Sequence, residues 1–487
     1  MTEITTPLGR LAGTTQTIDS TRVDAFLGIP YATAARFAPP ARVTSWTGTR
    51  DATTFGPAAP QPIGGPLDGL VPGSFHGDTD EHACLTLNVW TPTIESSKAR
   101  PVLVWFPGGA FTTGATALPA YDGAHFSAEQ DVVLVSCNYR LGALGFLDTR
   151  DIGGVANCGL RDAIAALDWV RDNIAAFGGD PERVTVFGES AGGGLVLHLL
   201  ASPLARGLFG GAIVQSGATF NTLDDTRAAL VRDALLSELG LSDAKLLADV
   251  PIDTLIAAQS TAAMALLAEV GMMPFHPMVD GDTLPAAPEE ALAGGSAAGI
   301  PMVIGTTTDE MRLFLDLSGP PAPREKLVRR VEGYVGVDAA RAESIVATYE
   351  EALGAGDTNE IWAALFTDRE MALPAAAMRD AQRAHAPVYT YHFARPAAVR
   401  NLGACHGIDI PFTFGNFVDG WAEFVGLDED AERVGRTVRD AWATFAATGE
   451  PGWAATPSVM WFAAGRSHIE RSDDPLQARL ASLPQKR

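Results

Sequence analysis

One five-residue segment constrains this chain more than any other: residues 188–192, with the sequence Gly-Glu-Ser-Ala-Gly. It follows directly after the apolar run 184–187, and a helical pattern begins at Ala191. A G-x-S-x-G pattern between a strand and a helix predicts a tight turn that strains the serine backbone and exposes its hydroxyl. Glycines flank the serine because side chains there would collide with the neighbouring strand or helix. We therefore expect Ser190 to be an exposed nucleophile.

The rest of the chain has the pattern of an α/β protein. Five apolar runs are mostly continuous, which is typical of strands in a parallel sheet covered on both faces. Residues 160–176 carry apolar side chains at helical spacing, a helix is expected from Ser190 to about Ala201, and residues 228–239 and 339–353 predict surface helices. We expect one elaborated domain over residues 1–487, with a large, mostly parallel sheet flanked by helices and extra helical insertions. The predicted strands are 102–106, 132–135, 184–187, 212–214 and 302–304.

Composition excludes several classes of function. The formal net charge of −23 at pH 7 argues against nucleic acid or an anionic membrane as a partner. No apolar segment approaches the ~20 residues needed to span a bilayer, and the first residues lack the features of a signal peptide. Because its cysteines have no C-x-x-C spacing, we expect free thiols and no metal site. We also expect a cytoplasmic protein without a cofactor. These cysteines are Cys84, Cys137, Cys158 and Cys405.

A serine nucleophile needs preorganised donors for the oxyanion that forms during acyl transfer. Residues 106–111, Phe-Pro-Gly-Gly-Ala-Phe, follow directly after a predicted strand, where hydrolases with this kind of elbow carry such a loop. The candidate donors are the backbone N–H groups of Gly109, Ala110 and Ala191. A plain glycine-rich turn is the alternative interpretation of the loop.

The nucleophile also needs a histidine base, which follows both the nucleophile and the acid in hydrolases with this elbow. Four histidines fall in that part of the chain. His392 lies in the strand-like run 388–393, His385 falls at a helix end, and His468 belongs to a charged tail segment. Only His406 occupies a glycine-flanked loop that could bring an imidazole to a serine. We therefore predict His406 as the base.

A carboxylate must hold the histidine tautomer and stabilise its cation. Asp309 and Glu310 follow the predicted strand 302–306, within the required window. Their spacing does not distinguish between them, and only one can serve because adjacent side chains point in different directions.

The chain resembles the type-B carboxylesterase/lipase family of the α/β-hydrolases, and its bacterial para-nitrobenzyl-esterase-like members in particular. Ordered matches cover nearly the whole length. In this family the acid is the glutamate of an Asp-Glu pair, which implies Glu310, and the histidine matches His406. The matching stretches are 26–32, 85–90, 138–142, 177–190, 215–217 and 412–416.

The resemblance has further implications for single residues. It implies a structural ion pair between Arg140 and Asp162, and a supporting role near the triad for Ser216. At the oxyanion loop, the family usually has His or Tyr and three glycines, whereas Pro107 and Ala110 stand at the ends here. The Ala110 N–H remains, so we expect a functional oxyanion hole of altered shape.

Two other departures concern residues near Cys84. The family's Glu-Asp-Cys becomes His82-Ala83-Cys84, which calls into question the salt bridge that Arg36 would make. The cysteine that normally pairs with Cys84 is replaced by Ala59, so we expect no disulfide there, in agreement with a reducing compartment.

Five residues are candidates for the substrate pocket. Glu189, beside the nucleophile, could attract cationic substrates, although the family carries it generally. Soft and aromatic side chains suit an apolar acyl group, and core packing explains them equally well. These side chains are Met272, Met273, Phe275 and Phe314.

The sequence thus predicts a serine carboxylesterase of short-to-medium-chain esters that acts through Ser190, Glu310 and His406 and an acyl-enzyme. Its partner is a small-molecule ester. The alternatives are a carbamate, amide or thioester hydrolase with the same triad, or a non-catalytic binding protein of the same fold. Such binding relatives typically lose the serine, which this chain keeps.

Overall fold

The computed structural model of the chain describes residues 1–64, 69–73, 75–94, 99–218, 222–267, 269–271, 273–354, 356–399, 401–471 and 476–484. Its strands are β1 Thr2–Thr6, β2 Gly9–Ile18, β3 Thr21–Pro30, β4 Ala32–Thr33, β5 Ala41–Arg42, β6 Thr49–Asp51, β7 Thr86–Thr91, β8 Arg100–Phe106, β9 Val133–Cys137, β10 Gly179–Glu189, β11 Gly211–Gln215, β12 Met302–Thr307, β13 Val388–Phe393, β14 Ser458–Phe462 and β15 His468–Arg471.

The helices lie mainly between and after these strands. They are α1 Ala124–Gln130, α2 Gly142–Phe146, α3 Cys158–Asn173, α4 Ala191–Ala201, α5 Asp225–Glu238, α6 Ile252–Ala265, α7 Pro288–Ala293, α8 Arg324–Val335, α9 Ala339–Leu353, α10 Thr358–Thr367, α11 Leu373–Gln382, α12 Ile410–Phe414, α13 Trp421–Val425, α14 Glu429–Thr448 and α15 Gln477–Ser482. Short 3₁₀ turns connect several of them, and the turn Glu310–Phe314 after β12 is one of these.

One large sheet organises the chain, with the strand order β1-β2-β3-β7-β9-β8-β10-β11-β12-β13-β14-β15 and β6 paired to β2. In this order the strands from β9 to β14 run parallel, whereas the pairs from β1 to β9 and the pair β14–β15 are antiparallel; β6 pairs with β2 in parallel. The central strands are buried on both faces: every residue of β8 and β11 is buried. Carboxyl ends of neighbouring parallel strands meet at one edge of the sheet, which is where such sheets bind ligands.

Three hydrophobic clusters fill the described part of the structure. One lies around α3 and α4 on one face of the sheet, and a second around α12 and α14 on the other. The third joins α8, α9 and α10 to the end of the chain near Leu483. These clusters match the expected arrangement of a parallel sheet between helical layers, so the α/β-hydrolase fold class is confirmed.

The predicted elements are confirmed, with bounds that differ by a few residues. The helix expected over 160–176 is α3, continued by the 3₁₀ turn Ile174–Phe177. The charged segment near the end of the chain that contains His468 forms the edge strand β15. The antiparallel strands β1 to β3 had no counterpart among the predicted strands. A single domain over residues 1–487 stays a prediction.

The structure also shows the contacts of Arg140, Arg36 and the cysteines, for which the family resemblance had implications. Arg140 makes two hydrogen bonds of 2.7 Å with Asp162 inside the core, so this ion pair is confirmed. The doubt about Arg36 was misplaced, because its guanidinium makes two 2.8 Å hydrogen bonds with Glu81, one residue before His82. All four cysteines lie in the described ranges, where they are buried and no disulfide joins them. Within those ranges, none of the helices is long and apolar enough to cross a membrane.

Candidate active site

The nucleophile elbow lies where β10 meets α4. Ser190 has φ 57° and ψ −124°, a conformation that costs a non-glycine residue on the order of 1–3 kcal/mol. The close packing of this turn explains the glycine at 192, because a Cβ there would lie 1.9 Å from the carbonyl oxygen of Phe106. The predicted turn geometry at Ser190 is therefore present, and Ser190 is partly exposed.

The side chains of Ser190, His406 and Glu310 form a continuous hydrogen-bonded chain. Ser190 Oγ lies 2.8 Å from His406 Nε2, and His406 Nδ1 lies 2.6 Å from Glu310 Oε2. The residues are as many as 216 positions apart in sequence. They meet because they follow the carboxyl ends of the parallel strands β10, β12 and β13. With Nδ1–H donated to the carboxylate, the Nε2 lone pair can accept the serine proton.

The structure distinguishes between the two adjacent acids. Glu310 is fully buried, and its Oε1 accepts hydrogen bonds from Ser216 Oγ at 2.5 Å and from the Thr307 N–H at 2.8 Å. Asp309 directs its carboxylate elsewhere, toward the Ala404 N–H and Arg312. Of these two adjacent acids, Glu310 is therefore the one that contacts the imidazole, and Ser216 contacts Glu310.

The glycine-rich loop after β8 lies against the elbow. A Cβ on Gly108 would be 3.1 Å from Ser190 Cβ, so the loop backbone passes directly beside the serine. Among the described residues, the N–H groups of Gly109 and Ala110 donate to no protein acceptor. The Ala191 N–H belongs to the first turn of α4, where N–H groups have no intrahelical partner. The three predicted donors are thus unengaged, and the loop that carries two of them passes beside Ser190 at Gly108.

A sequence model of the carboxylesterase family matches residues 1–470. The chain belongs to the carboxylesterase family. The para-nitrobenzyl esterase of Bacillus subtilis strain 168 is 38% identical over 469 residues, which cover 94% of this chain and 91% of that protein. The phenmedipham hydrolase of Pseudarthrobacter oxydans is 36% identical over 475 residues, covering 92% and 90%. A solved carboxylesterase of Geobacillus stearothermophilus matches with a TM-score of 0.84 and 36% identity, covering 99% of this chain and 100% of that one. The chain is therefore a serine carboxylesterase.

Two carboxylates flank the imidazole of this carboxylesterase. Glu189 is buried, and its Oε1 lies 3.3 Å from His406 Nε2, on the side of the ring that faces Ser190. Burial opposes a charge on His406, but the charges of Glu189 and Glu310 outweigh it and raise the pKa of His406 to about 9. Burial raises the pKa of Glu189 to about 8, against the attraction of His406. His406 therefore lies in a desolvated environment between two carboxyl groups.

Two buried residues beside these groups, Asp409 and Gln215, are not predicted from the sequence. Gln215 Nε2 donates to Asp409 Oδ2 at 2.8 Å and to Thr413 Oγ1 at 3.0 Å. Burial raises the pKa of Asp409 to about 6, although the hydrogen bond from Gln215 lowers it. The available signals were an acid three residues after His406 and the matched stretch 215–217. Neither signal indicates contact without the fold.

The predicted pocket residues of the esterase fall in different surroundings. Phe314 is half-buried, and its ring centre lies 5.6 Å from that of His406, so it borders the reacting groups. Phe275 is fully buried in the core, which fits the packing alternative. Met273 is half-buried at the edge of that core, and Met272 lies outside the described residues. Within the described ranges, no group of three or more His, Cys, Asp or Glu side chains could hold a metal ion.

Proposed function

We propose that this carboxylesterase acts through Ser190, His406 and Glu310, with an acyl-enzyme intermediate. The observation that carries the proposal is the pair of hydrogen bonds, 2.8 Å and 2.6 Å, that link the three side chains. In the first half-reaction, Ser190 Oγ attacks the ester carbonyl carbon and its proton moves to His406 Nε2. The bond to the alcohol oxygen then breaks, and His406 gives that proton to the leaving alcohol. Water repeats the cycle on the acyl-enzyme and regenerates the serine.

The negative charge that develops on the carbonyl oxygen needs fixed donors. In our proposal the N–H groups of Gly109, Ala110 and Ala191 form the oxyanion hole. Such donors contribute most when they are oriented before the reaction, because no reorganisation is then required. Support comes from their unengaged state and from the proximity of the loop to Ser190. Pro107 has no N–H but precedes the proposed donors, so its presence is compatible with the hole.

Glu310 orients His406 and stabilises its cation. A carboxylate in this role fixes the imidazole tautomer without itself taking up the proton. Ser216 Oγ and the Thr307 N–H donate to the second oxygen of Glu310, and these two hydrogen bonds hold the carboxylate in place. Ser216 therefore supports the triad without contacting the substrate.

The proposed substrates are esters with acyl groups of roughly two to eight carbons, because each buried CH₂ adds about 0.8 kcal/mol only until the pocket ends. The bordering ring of Phe314 favours an apolar acyl group. The loop 61–83 is held at its start to the oxyanion loop, since the Gln61 amide exchanges hydrogen bonds of 3.0 Å and 2.9 Å with Gly114. By its sequence, this short segment is rich in glycine and proline and carries few apolar residues that could bind a lipid droplet.

We also propose a cytoplasmic location and no nucleic-acid or membrane partner. Four buried cysteines without a disulfide, all in the described ranges, suit a reducing compartment. The net charge of −23 disfavours polyanionic partners.

Rates on a series of p-nitrophenyl esters from acetate to palmitate test both the chemistry and the substrate range. We expect kcat/KM to peak between about two and eight acyl carbons, and Ser190→Ala to lower kcat by on the order of 10⁴ or more at every length. Carbamate and anilide analogues measured alongside report on the alternative leaving groups. A maximum at twelve carbons or beyond, with a rate jump on emulsified substrate, would contradict the substrate proposal. Substantial activity of Ser190→Ala would contradict the mechanism.

A further inference from the structure

Asp309, the acid that does not contact His406, joins the turn carrying Glu310 to the loop carrying His406. Its Oδ2 accepts the Ala404 N–H at 3.0 Å, and its own N–H donates to the Ala404 carbonyl, also at 3.0 Å. Ala404 lies two residues before His406. The His406 N–H in turn donates to the Glu310 carbonyl at 3.2 Å. Two short segments from distant parts of the chain are therefore fixed to each other by three hydrogen bonds.

Arg312 completes this connection on the solvent side. Its Nε donates to Asp309 Oδ1 at 3.0 Å, and its Nη1 donates to the Asn401 carbonyl at 3.3 Å, at the start of the histidine loop. Its remaining nitrogen pairs with Glu360 on α10. The Arg312 side chain is only 11% exposed. The arginine thus holds the Asp309 carboxylate in the orientation that accepts the Ala404 N–H.

The histidine loop is shaped to receive this carboxylate. Gly403 has φ +61°, and a Cβ at that position would lie 2.5 Å from Asp309 Cγ. Asp309 therefore fits against a part of the loop backbone that only glycine leaves open. The glycine that marked His406 as a candidate base in the sequence is explained by the approach of Asp309.

We propose that Asp309 is a positioning residue, which acts through the histidine loop to hold His406 at the distances seen to Ser190 and Glu310. This inference rests on the proposed triad. Its physical basis is that proton transfer requires a hydrogen-bonded geometry, and a displacement of about 1 Å can cost on the order of 10²-fold in rate. Ground-state binding of the ester does not require that geometry, so the effect belongs in kcat.

Asp309→Asn keeps the shape of the side chain, but only one of its two terminal atoms can accept a hydrogen bond. Its NH₂ group must therefore face either the Arg312 Nε–H or the Ala404 N–H, which places one donor against another. We expect it to lower kcat between about 10-fold and 100-fold, with KM changed less than about twofold. The rate of covalent inactivation by an organophosphonate should fall by the same factor as kcat. Asp309→Ala should give a loss at least as large. The matched control is Asp180→Asn. It breaks an Asp–Arg pair with the same i, i+3 spacing, at the end of β10 that is remote from Ser190.

The outcomes separate the inference from the proposed function. Loss of kcat at constant KM, with a melting temperature no lower than that of Asp180→Asn, supports the positioning role. Wild-type kcat in both Asp309 variants overturns it. A rise in KM together with a fall in melting temperature beyond the control also overturns it, since general destabilisation then explains the loss. If Ser190→Ala remains active in the same assay, the proposed function fails, whatever the Asp309 variants do.

Discussion

Glu189 and Glu310 contact opposite nitrogens of the same imidazole, and they differ in what they can do for it. Glu310 lies on Nδ1, where a carboxylate fixes the tautomer needed for catalysis. Glu189 lies beside Nε2, the nitrogen that must be unprotonated to accept the serine proton. A negative charge at that position stabilises the imidazolium and so raises the pKa of His406. This effect keeps the base protonated to a higher pH than an ordinary histidine.

The sign of this effect sets a testable pH dependence. The proposed mechanism requires neutral His406, so kcat/KM should fall as the pH drops through its pKa, and a raised pKa should move that acid limb to higher pH. Glu189→Gln removes the carboxylate nearest Nε2. We expect the variant's acid limb to move to lower pH by about 1 pH unit or more. Full pH profiles of kcat/KM for both proteins provide the measurement, and a limb that stays in place or moves upward would contradict this account.

His276 should make the stability of the folded protein, and not its activity, depend on pH. It is buried, and neither ring nitrogen has a hydrogen-bond partner among the described residues. Burial, with smaller contributions from His198 and Arg227, lowers its pKa to about 3. The unfolded chain binds this proton below about pH 6.5, whereas the folded protein does not until the pH is far lower. The stability provided by the neutral imidazole is therefore present above pH 6.5 and is lost as the pH falls.

His276→Leu removes this titration. We expect the difference in unfolding free energy between the variant and the wild type to shift in favour of the variant by about 2 kcal/mol between pH 7.5 and pH 5. Urea denaturation at both pH values measures this, and His82→Leu at an exposed position is the control. An equal difference at both pH values would rule out the contribution of His276.

At the level of secondary structure, the contact between β8 and α4 fixes the distance between the proposed oxyanion loop and Ser190. Gly192 permits this contact, because the Phe106 carbonyl occupies the space of a Cβ. Gly192→Ala should push α4 away from β8. This shift should destabilise the protein by about 1–3 kcal/mol and should also lower kcat. Gly333→Ala in α8, where a Cβ meets nothing within 4 Å, should instead stabilise by roughly 0.5–1 kcal/mol. Thermal melting and kinetics of both variants check this, and equal effects would contradict it.

The elements predicted from the sequence are those whose own residues carry a clear pattern and which do not depend on pairing with distant segments for that pattern. The central parallel strands consist of continuous apolar residues because both of their faces are covered, and the elbow is marked by its flanking glycines. The strand β2 was missed for the opposite reason. Its residues are mostly small or polar and mostly exposed or half-exposed, and its place is determined by pairing with β1, β3 and β6.

At the scale of the whole molecule, contacts between distant segments were the hardest to predict. Motifs pointed to Ser190 and His406, and the family resemblance pointed to Glu310, but neither predicted the contacts of Asp409 or Asp309. The Arg36 salt bridge shows the same limitation. Glu81, one position earlier in the chain than the glutamate expected from the family, makes the ion pair with Arg36. The path of the folded backbone brings it there. Side-chain direction after a turn depends on tertiary packing, and sequence spacing carries little information about it.

The carboxyl edge of the parallel strands brings together every group in the proposed mechanism. The oxyanion loop follows β8, the nucleophile follows β10, Ser216 follows β11, and the acid follows β12. The histidine loop comes after β13 and is fixed back to the acid turn through Asp309. The proposed mechanism therefore requires that this edge activates one serine, Ser190, and no other.

Covalent labelling tests that claim most directly. An organophosphonate reacts with a serine only where a base and an oxyanion hole activate it. We expect one label per chain, located by peptide mass spectrometry on Ser190, with loss of activity in proportion to labelling and no label on Ser190→Ala. Labelling of Ser216 or any other serine at a comparable rate, or full activity in the labelled protein, would contradict the account.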